Sequence, residues 1–330
     1  MATCSHVVEK GNLAMQDTVN PNASKEAKEL LNYLSDTAGK KLITGQHTQT
    51  NPMEEIAYIR EKTGKAPKLF GFELLSYSPN INYDDASDAC LTEIYENRDT
   101  LDTAMRLPKE ADVILTFTFH WYSPIGGRDK SFYAEHTDFD AEKILRDGTP
   151  ERAAFFHDMD VIVQHLKTFC DEKIPILWRP FHEADGKWFW WGAKGPEVAR
   201  ELYKLMFDHY TNHHHLNNLL WVWNCPLAEG YPGDEYVDVI SMDIYLPEYA
   251  KTDYSAEYSR LISQTTGNKV AALAEVGYIP DIALLEKSHT PWAYFMVWSK
   301  EFCIGEQYNK IDNLRSMYGS DYAVVSNAKV

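Results

Sequence analysis

Short apolar runs rich in β-branched and aromatic residues alternate along this chain with longer stretches whose apolar positions recur every three to four residues. The first pattern reads as strands covered on both faces, the second as amphipathic helices. Eight strands are predicted, at 41–46 (KLITGQ), 68–75 (KLFGFELL), 113–120 (VILTFTFH), 174–183 (IPILWRPFHE), 219–224 (LLWVWN), 237–245 (VDVISMDIY), 270–277 (VAALAEVG) and 294–298 (YFMVW). Helices are predicted between them at 52–64, 89–107, 150–171, 196–214, 255–266, 280–288 and 305–318, with another at 24–36 before the first strand. Pro150-Glu151 and Pro196-Glu197 place Pro and an acid in a first helical turn, which suits a helix start. Strict alternation calls for parallel βαβ units. Eight such units close into a (β/α)8 barrel, whose usual size of about 250 residues leaves room for loop insertions. No GxGxxG or GxxxxGK turn follows a strand, so an open nucleotide-binding sheet has no support. The expected class is α/β, a single (β/α)8 TIM barrel with a short N-terminal helical extension.

Polarity falls at one end of these strands. They begin apolar and finish in Gln46 and His47, Glu73, His120, Glu183, Asn224, Asp243 and Tyr245, Glu275, and Trp298. Barrel enzymes build their sites at the C-terminal ends of the strands. The expected division is therefore residues 1–36 as an extension packed on the barrel and 37–330 as the catalytic domain.

Charge narrows the partners. The 32 basic and 49 acidic residues give a formal net charge of -17, which disfavours nucleic acid and anionic membranes. No apolar run approaches the roughly 18 residues that span a bilayer. The five cysteines, 4, 90, 170, 225 and 303, are scattered without a CxxC pair, so mostly buried thiols are expected rather than a zinc site or disulfide framework. The start, MATCSHVVEKGN, lacks an apolar signal segment, and the sequon Asn22-Ala23-Ser24 favours secretion. Either the protein is cytosolic or the numbering begins after a removed signal; the reading adopted is a secreted monomer.

The 9 Trp and 20 Tyr against 14 Phe call for polar partners as well as packing. Residues 178–192, WRPFHEADGKWFWWG, concentrate the case: charge closes an apolar strand and indoles follow. Flat apolar rings beside carboxylates suit a sugar. Glu183 and Glu275 each close an apolar strand, and paired carboxylates are the machinery of glycoside hydrolysis, one protonated and one ionised. Tyr245 and Arg179 are candidates to hold a carboxylate ionised, while the aromatics after Glu183 could desolvate it and raise its pKa. By strand parity Arg179 shares a pocket with Glu183, and Asp243 with Tyr245. His182 either steers Glu183 or supports the barrel rim. Trp188 and Trp298 are the leading stacking platforms, and part of the WFWW cluster is expected between loop and barrel. The 121–149 insertion is placed to wall off one end of a cleft.

Metal chemistry has less footing. His182-Glu183-Ala184-Asp185-Gly186 is not HExxH. His213, His214 and His215, consecutive near a helix end, face different ways and suit the helix C-terminus instead. His120, Asp243 and Glu275 could hold an ion, but the first strand lacks an HxH pair. No metal or cofactor is expected.

The assembled segments LITGQH (42–47), GFELLSYSP (71–79), FTFHWYSP (117–124), WRPFHEADGKWFWWG (178–192), WVWN (221–224), MDIY (242–245), LAEVG (273–277) and FMVW (295–298) resemble glycoside hydrolase family 26, best known for β-mannanases. The resemblance spans roughly residues 37–318. It implies a retaining (β/α)8 hydrolase with Glu183 as acid/base and Glu275 as nucleophile. Tyr245 would hydrogen-bond the nucleophile, and His120, Arg179, His182, Trp188 and Trp298 would line the subsites. The implied substrate is β-1,4-mannan or its oligosaccharides. The family also holds mixed-linkage β-glucanases and β-1,3-xylanases, so those remain alternatives, with a non-catalytic carbohydrate-binding barrel more distant. Phe119 and Glu73 stand where the family often has Trp and Asp.

Overall fold

The structure, a computed structural model, describes residues 17–329. In chain order its main elements are α1 (Lys25–Thr37), β1 (Leu42–Ile43), β2 (Gly45–His47), α2 (Glu54–Thr63), β3 (Ala66–Pro67), β4 (Leu69–Glu73), α3 (Asp88–Glu96), α4 (Thr100–Glu110), β5 (Ile114–Thr118) and α5 (Pro150–Asp171). There follow β6 (Ile176–Arg179), α6 (Pro196–Phe207), β7 (Leu219–Asn224), β8 (Val239–Ile244), α7 (Ser255–Ile262), β9 (Val270–Val276), α8 (Ile282–Ser288), β10 (Trp292–Val297), α9 (Ile311–Gly319) and β11 (Ala323–Ser326). Strands β2, β4, β5, β6, β7, β8, β9 and β10 pair in that order, and β10 returns to β2 through Val297 and Gln46. This is the closed parallel (β/α)8 barrel that the alternation predicts.

Alternation of side chains builds two apolar layers. Phe117, Ile176, Trp178, Trp221, Trp223, Ile240 and Leu273 point outward into the layer beneath the helices. Leu69, Ile114, Leu177, Leu220, Val222, Val239 and Ala272 point inward. Ala27, Leu30, Leu31 and Leu34 of α1 join the inward set, so this helix plugs one mouth of the barrel. Its start is capped by Ser24, whose hydroxyl accepts from the Ala27 N–H at 3.1 Å. Residues 1–16 of the predicted extension lie outside the described residues.

Local differences from the sequence reading have local causes. The helix predicted at 89–107 breaks into α3 and α4, because Asp99 adopts a left-handed backbone (φ 59°) and the Asn97 side chain donates to Glu93 O at 2.9 Å. The predicted 305–318 helix begins only at Ile311. Helix α6 stops at Phe207 and passes into one π-helical turn, Asp208–His213. Strands β3 and β11, absent from the prediction, pair with each other, and β11 lies against β1.

One irregularity bears on the site. Met242 pairs with Leu273, yet the next pair is Asp243 with Glu275, leaving Ala274 as an extra residue in β9. The neighbour on the other side agrees, since Phe295 pairs with Leu273 and Val297 with Val276. Leu273 points outward, so without this bulge Glu275, two residues on, would point outward as well. The bulge reverses the parity and turns Glu275 into the barrel mouth.

Candidate active site

The polar strand ends converge at the mouth opposite α1. Arg179, the last residue of β6, is fully buried there. Its Nη1 donates to Asp243 Oδ2 at 2.7 Å and its Nη2 to Thr118 Oγ1 at 2.9 Å and to Glu275 Oε1. The guanidinium thus fills the gap between two buried carboxylates. Arg179 and Glu183 share this pocket, as strand parity leads one to expect, and the Arg179 charge acts on the Glu183 carboxyl, but strand parity is not what brings Glu183 there. The strand ends at Arg179, and Phe181 and Glu183 both take left-handed backbones (φ 52° each), so two-residue alternation stops before Glu183. Phe181 turns into the outer apolar layer instead.

Glu183 is held by its own backbone and by its loop. Its N–H donates to Asn224 Oδ1 at 2.7 Å, tying the turn to the end of β7. Five residues on, Trp188 Nε1 donates to Glu183 Oε2 at 2.6 Å. Gly186 allows that approach, because a Cβ there would sit 2.3 Å from the Trp188 ring. Trp188 is half-exposed, at 49%, beside the Glu183 carboxyl. Trp190 and Trp191 are buried, donating to Trp121 O at 2.6 Å and His182 O at 2.8 Å. They anchor the loop that presents Trp188.

Burial raises the Glu183 carboxyl to about 7, aided by the negative Asp243 and opposed by the Trp188 donor. Burial likewise raises Asp243 to about 7, against Arg179 and the Asn224 amide, which donates at 2.8 Å. Glu275 is also raised by burial, but each of its oxygens has a donor that favours the charged form. Arg179 reaches one, and the Tyr245 hydroxyl donates to the other at 2.8 Å. One oxygen from each of Glu183, Asp243 and Glu275 lies within 4.8 Å of the others. That trio has the donor atoms for a cation, though Arg179 already supplies positive charge to two of the three.

A histidine layer lines the opposite wall. His120 Nδ1 bonds Glu73 Oε2 at 2.7 Å, and the His120 N–H donates to Glu73 Oε1 at 2.7 Å. Burial alone would lower the His120 pKa, but the Glu73 charge and hydrogen bond raise it. His182 Nε2 meets His120 Nε2 at 3.2 Å, and burial drives His182 well down, keeping it neutral beside its neighbour. His182 thus contacts His120 and the Trp191-anchored rim. His47 stacks on Trp298 with ring centroids 4.0 Å apart, holding that indole over the cleft. His120, His182, Glu183, Tyr245, Glu275 and Trp298 all line one groove. Phe132 and Tyr133 from the long 121–149 insertion line it too, and Tyr133 bridges to Phe189.

This geometry coincides with a match of residues 19–328 to the model of glycosyl hydrolase family 26. The chain belongs to that family. A mannan endo-1,4-β-mannosidase of Thermothelomyces thermophilus is 35% identical over 92% of this family 26 chain and 61% of its own length. A Podospora anserina β-(1,4)-mannanase structure superposes with TM-score 0.83 at 34% identity, covering 95% of this chain and 68% of that one. A β-mannanase from a symbiotic protist of the termite Reticulitermes speratus, complexed with gluco-manno-oligosaccharide, gives TM-score 0.82 at 29% identity, covering 95% and 97%. The chain spans between about half and three fifths of the length of the first curated relatives it matches.

Glu73, His47, Asn224 and Tyr133 carry weight that the candidate set omits. Glu73, His47 and Asn224 were legible as polar strand ends, but only the fold supplies their partners. Tyr133 has no signal in the sequence, because it reaches the groove through the insertion's fold.

Proposed function

We propose that this family 26 barrel is a retaining β-1,4-mannanase acting on mannan, glucomannan, galactomannan and their oligosaccharides. The observation that carries the reading is the spacing of Glu183 and Glu275, whose nearest oxygens lie within 4.8 Å. Retaining pairs stand roughly 5–5.5 Å apart, whereas inverting pairs open to about 6.5–9.5 Å to admit water. The mannosidase relative at 35% identity supports the substrate.

In the first step the protonated Glu183 carboxyl gives its proton to the glycosidic oxygen while a Glu275 carboxylate oxygen attacks the anomeric carbon. The C1–O bond breaks, the leaving chain departs as an alcohol, and a glycosyl ester of Glu275 remains. In the second step the Glu183 carboxylate takes a proton from water. The water oxygen attacks C1, the ester bond breaks, and both carboxyls return to their starting states. The split follows from environment: Glu183 near 7 retains a proton at neutral pH, and Glu275 has a donor on each oxygen. Arg179 and Tyr245 position Glu275, and Asp243 anchors Arg179. Trp188 and Trp298 offer ring faces to the sugar, and His120 and His182 offer polar edges. The protein is read as exported and monomeric, with residues 1–36 as an extension of the barrel domain.

A 2-deoxy-2-fluoro-β-mannosyl fluoride should label one residue, and peptide mass mapping should find it on Glu275. Label on any other residue overturns the assignment. Parallel hydrolysis of mannan, lichenan and β-1,3-xylan should favour mannan; equal or greater rates on either of the others overturn the substrate.

A further inference from the structure

A second constellation lies outside the groove, on the outer face between α5 and the end of α6. Asp160 of α5 accepts from His209 Nε2 at 2.7 Å and from His214 Nε2 at 2.8 Å, both on the same oxygen, Oδ1. The two Nε2 atoms are themselves 3.2 Å apart. Three donor atoms on two elements thus form a near-equilateral triangle.

The π-helical turn makes this possible. In an α-helix, residues five apart point in different directions. Here His214 N–H donates to His209 O at 3.0 Å, an i to i+5 bond of the π type, and the wider turn stacks residue 214 over 209. The sequence reading has His213, His214 and His215 facing different ways. The fold instead takes one of them and pairs it with a histidine five positions back. Packing fixes the ring of His209, with Phe156 edge-on at 4.9 Å and His213 stacked at 5.2 Å.

We propose that Asp160, His209 and His214 form a divalent transition-metal site, with Zn2+ as the natural occupant. Ligands about 2.0–2.2 Å from zinc stand about 3.0 Å apart on an octahedral face and about 3.4 Å apart in a tetrahedron. The observed 3.2 Å falls within that range and the 2.7 and 2.8 Å just short of it, so an ion would spread Asp160 from the two rings by only a few tenths of an ångström. Two imidazoles and one carboxylate are the donor set of borderline and harder divalent metals. Without a metal, both Nε2 atoms need protons to reach one oxygen, and those protons crowd each other. A single cation replaces both and satisfies all three atoms. Asp160 is half-exposed, so water completes the coordination shell. The ion would clamp the end of α6 to α5. The site shares no residue with the groove, so this inference stands apart from the proposed hydrolase activity.

The test uses chelator-stripped protein without an affinity tag. Zn2+ is titrated by calorimetry, melting is followed by differential scanning calorimetry, and Co2+ serves as a visible-absorption probe. One equivalent should bind saturably, and free Zn2+ at a hundredfold above Kd should raise Tm by about 4 °C for a chain of this size. H209A, H214A and D160N should each lose that equivalent and the Tm rise, with metal-free melting close to the parent's. H213A should keep both. Should an alanine variant fold poorly, H214Q, which keeps the volume but not the imidazole, takes its place and should lose the same equivalent. Absence of saturable binding, or an unchanged equivalent in H209A and H214Q, overturns the proposal.

Discussion

Arg179 is the only cation hydrogen-bonded to Glu275 or Asp243 among the described residues, and it is fully buried. Replacing it with Met keeps the stem's volume and leaves both carboxylates without their shared counter-charge. Removing one partner of a buried ion pair costs about 3–5 kcal/mol, chiefly through the charge left behind. For a chain of this length that amounts to a fall in Tm of about 4–7 °C. The sign with pH follows from the carboxyls. Asp243, already near 7, and Glu275 are both raised by burial, and loss of Arg179 raises them further. A group whose folded pKa exceeds its unfolded value contributes stability at low pH and loses it as pH rises through the folded pKa. The R179M deficit should therefore be largest at pH 8 and shrink toward pH 5, where Asp243 takes up its proton. Calorimetric melting of R179M and parent protein at both values measures it. A deficit under about 1 °C at pH 8, or an equal one at both, would refute the picture of Arg179 as counter-charge.

The alkaline limb of kcat/KM on manno-oligosaccharides should fall with an apparent pKa near 7, because Glu183 must keep its proton to serve as acid; a flat profile to pH 9 removes that role. The Glu183 charge is costly in the folded state, as its pKa near 7 exceeds the usual value of about 4.3, so stability declines between those two values. E183Q should thus melt higher than the parent at pH 8, by an energy on the order of 3 kcal/mol, and equally at pH 4. Thermal scans at the two values check this, and a lower Tm for E183Q at pH 8 contradicts it. Y245F removes one charge-assisted donor from Glu275. A loss of about 1.5–3 kcal/mol should lower kcat/KM by roughly 10- to 150-fold, with melting nearly unchanged.

Much of this site is written in the chain as a pattern of strand ends. An apolar run closing in Glu, as at WRPFHE and AALAE, by itself signals a carboxylate at a barrel mouth. The barrel itself follows from alternation that local hydrophobicity reports well. What escapes such reading depends on partners distant in sequence or on a broken period. Arg179 pairs with Asp243 and Glu275, 64 and 96 residues away, rather than with Glu183 four residues on. Glu275 points inward only through the bulge at Ala274, which shows in the strand register and not in the composition of VAALAEVG. Glu73 reads as a polar strand end, yet its role as the partner of His120 requires β4 and β5 to be neighbours. The π turn is the clearest case, since a 3.6-residue period places His213, not His214, on the same face as His209.

The stereochemistry of cleavage tests the pairing of Glu183 with Glu275 most directly. Proton NMR spectra taken from the moment of mixing with mannohexaose report which anomer appears first at the new reducing end. Double displacement through Glu275 predicts the β-anomer, with the α-anomer growing in only by slow mutarotation. Initial release of the α-anomer would contradict it.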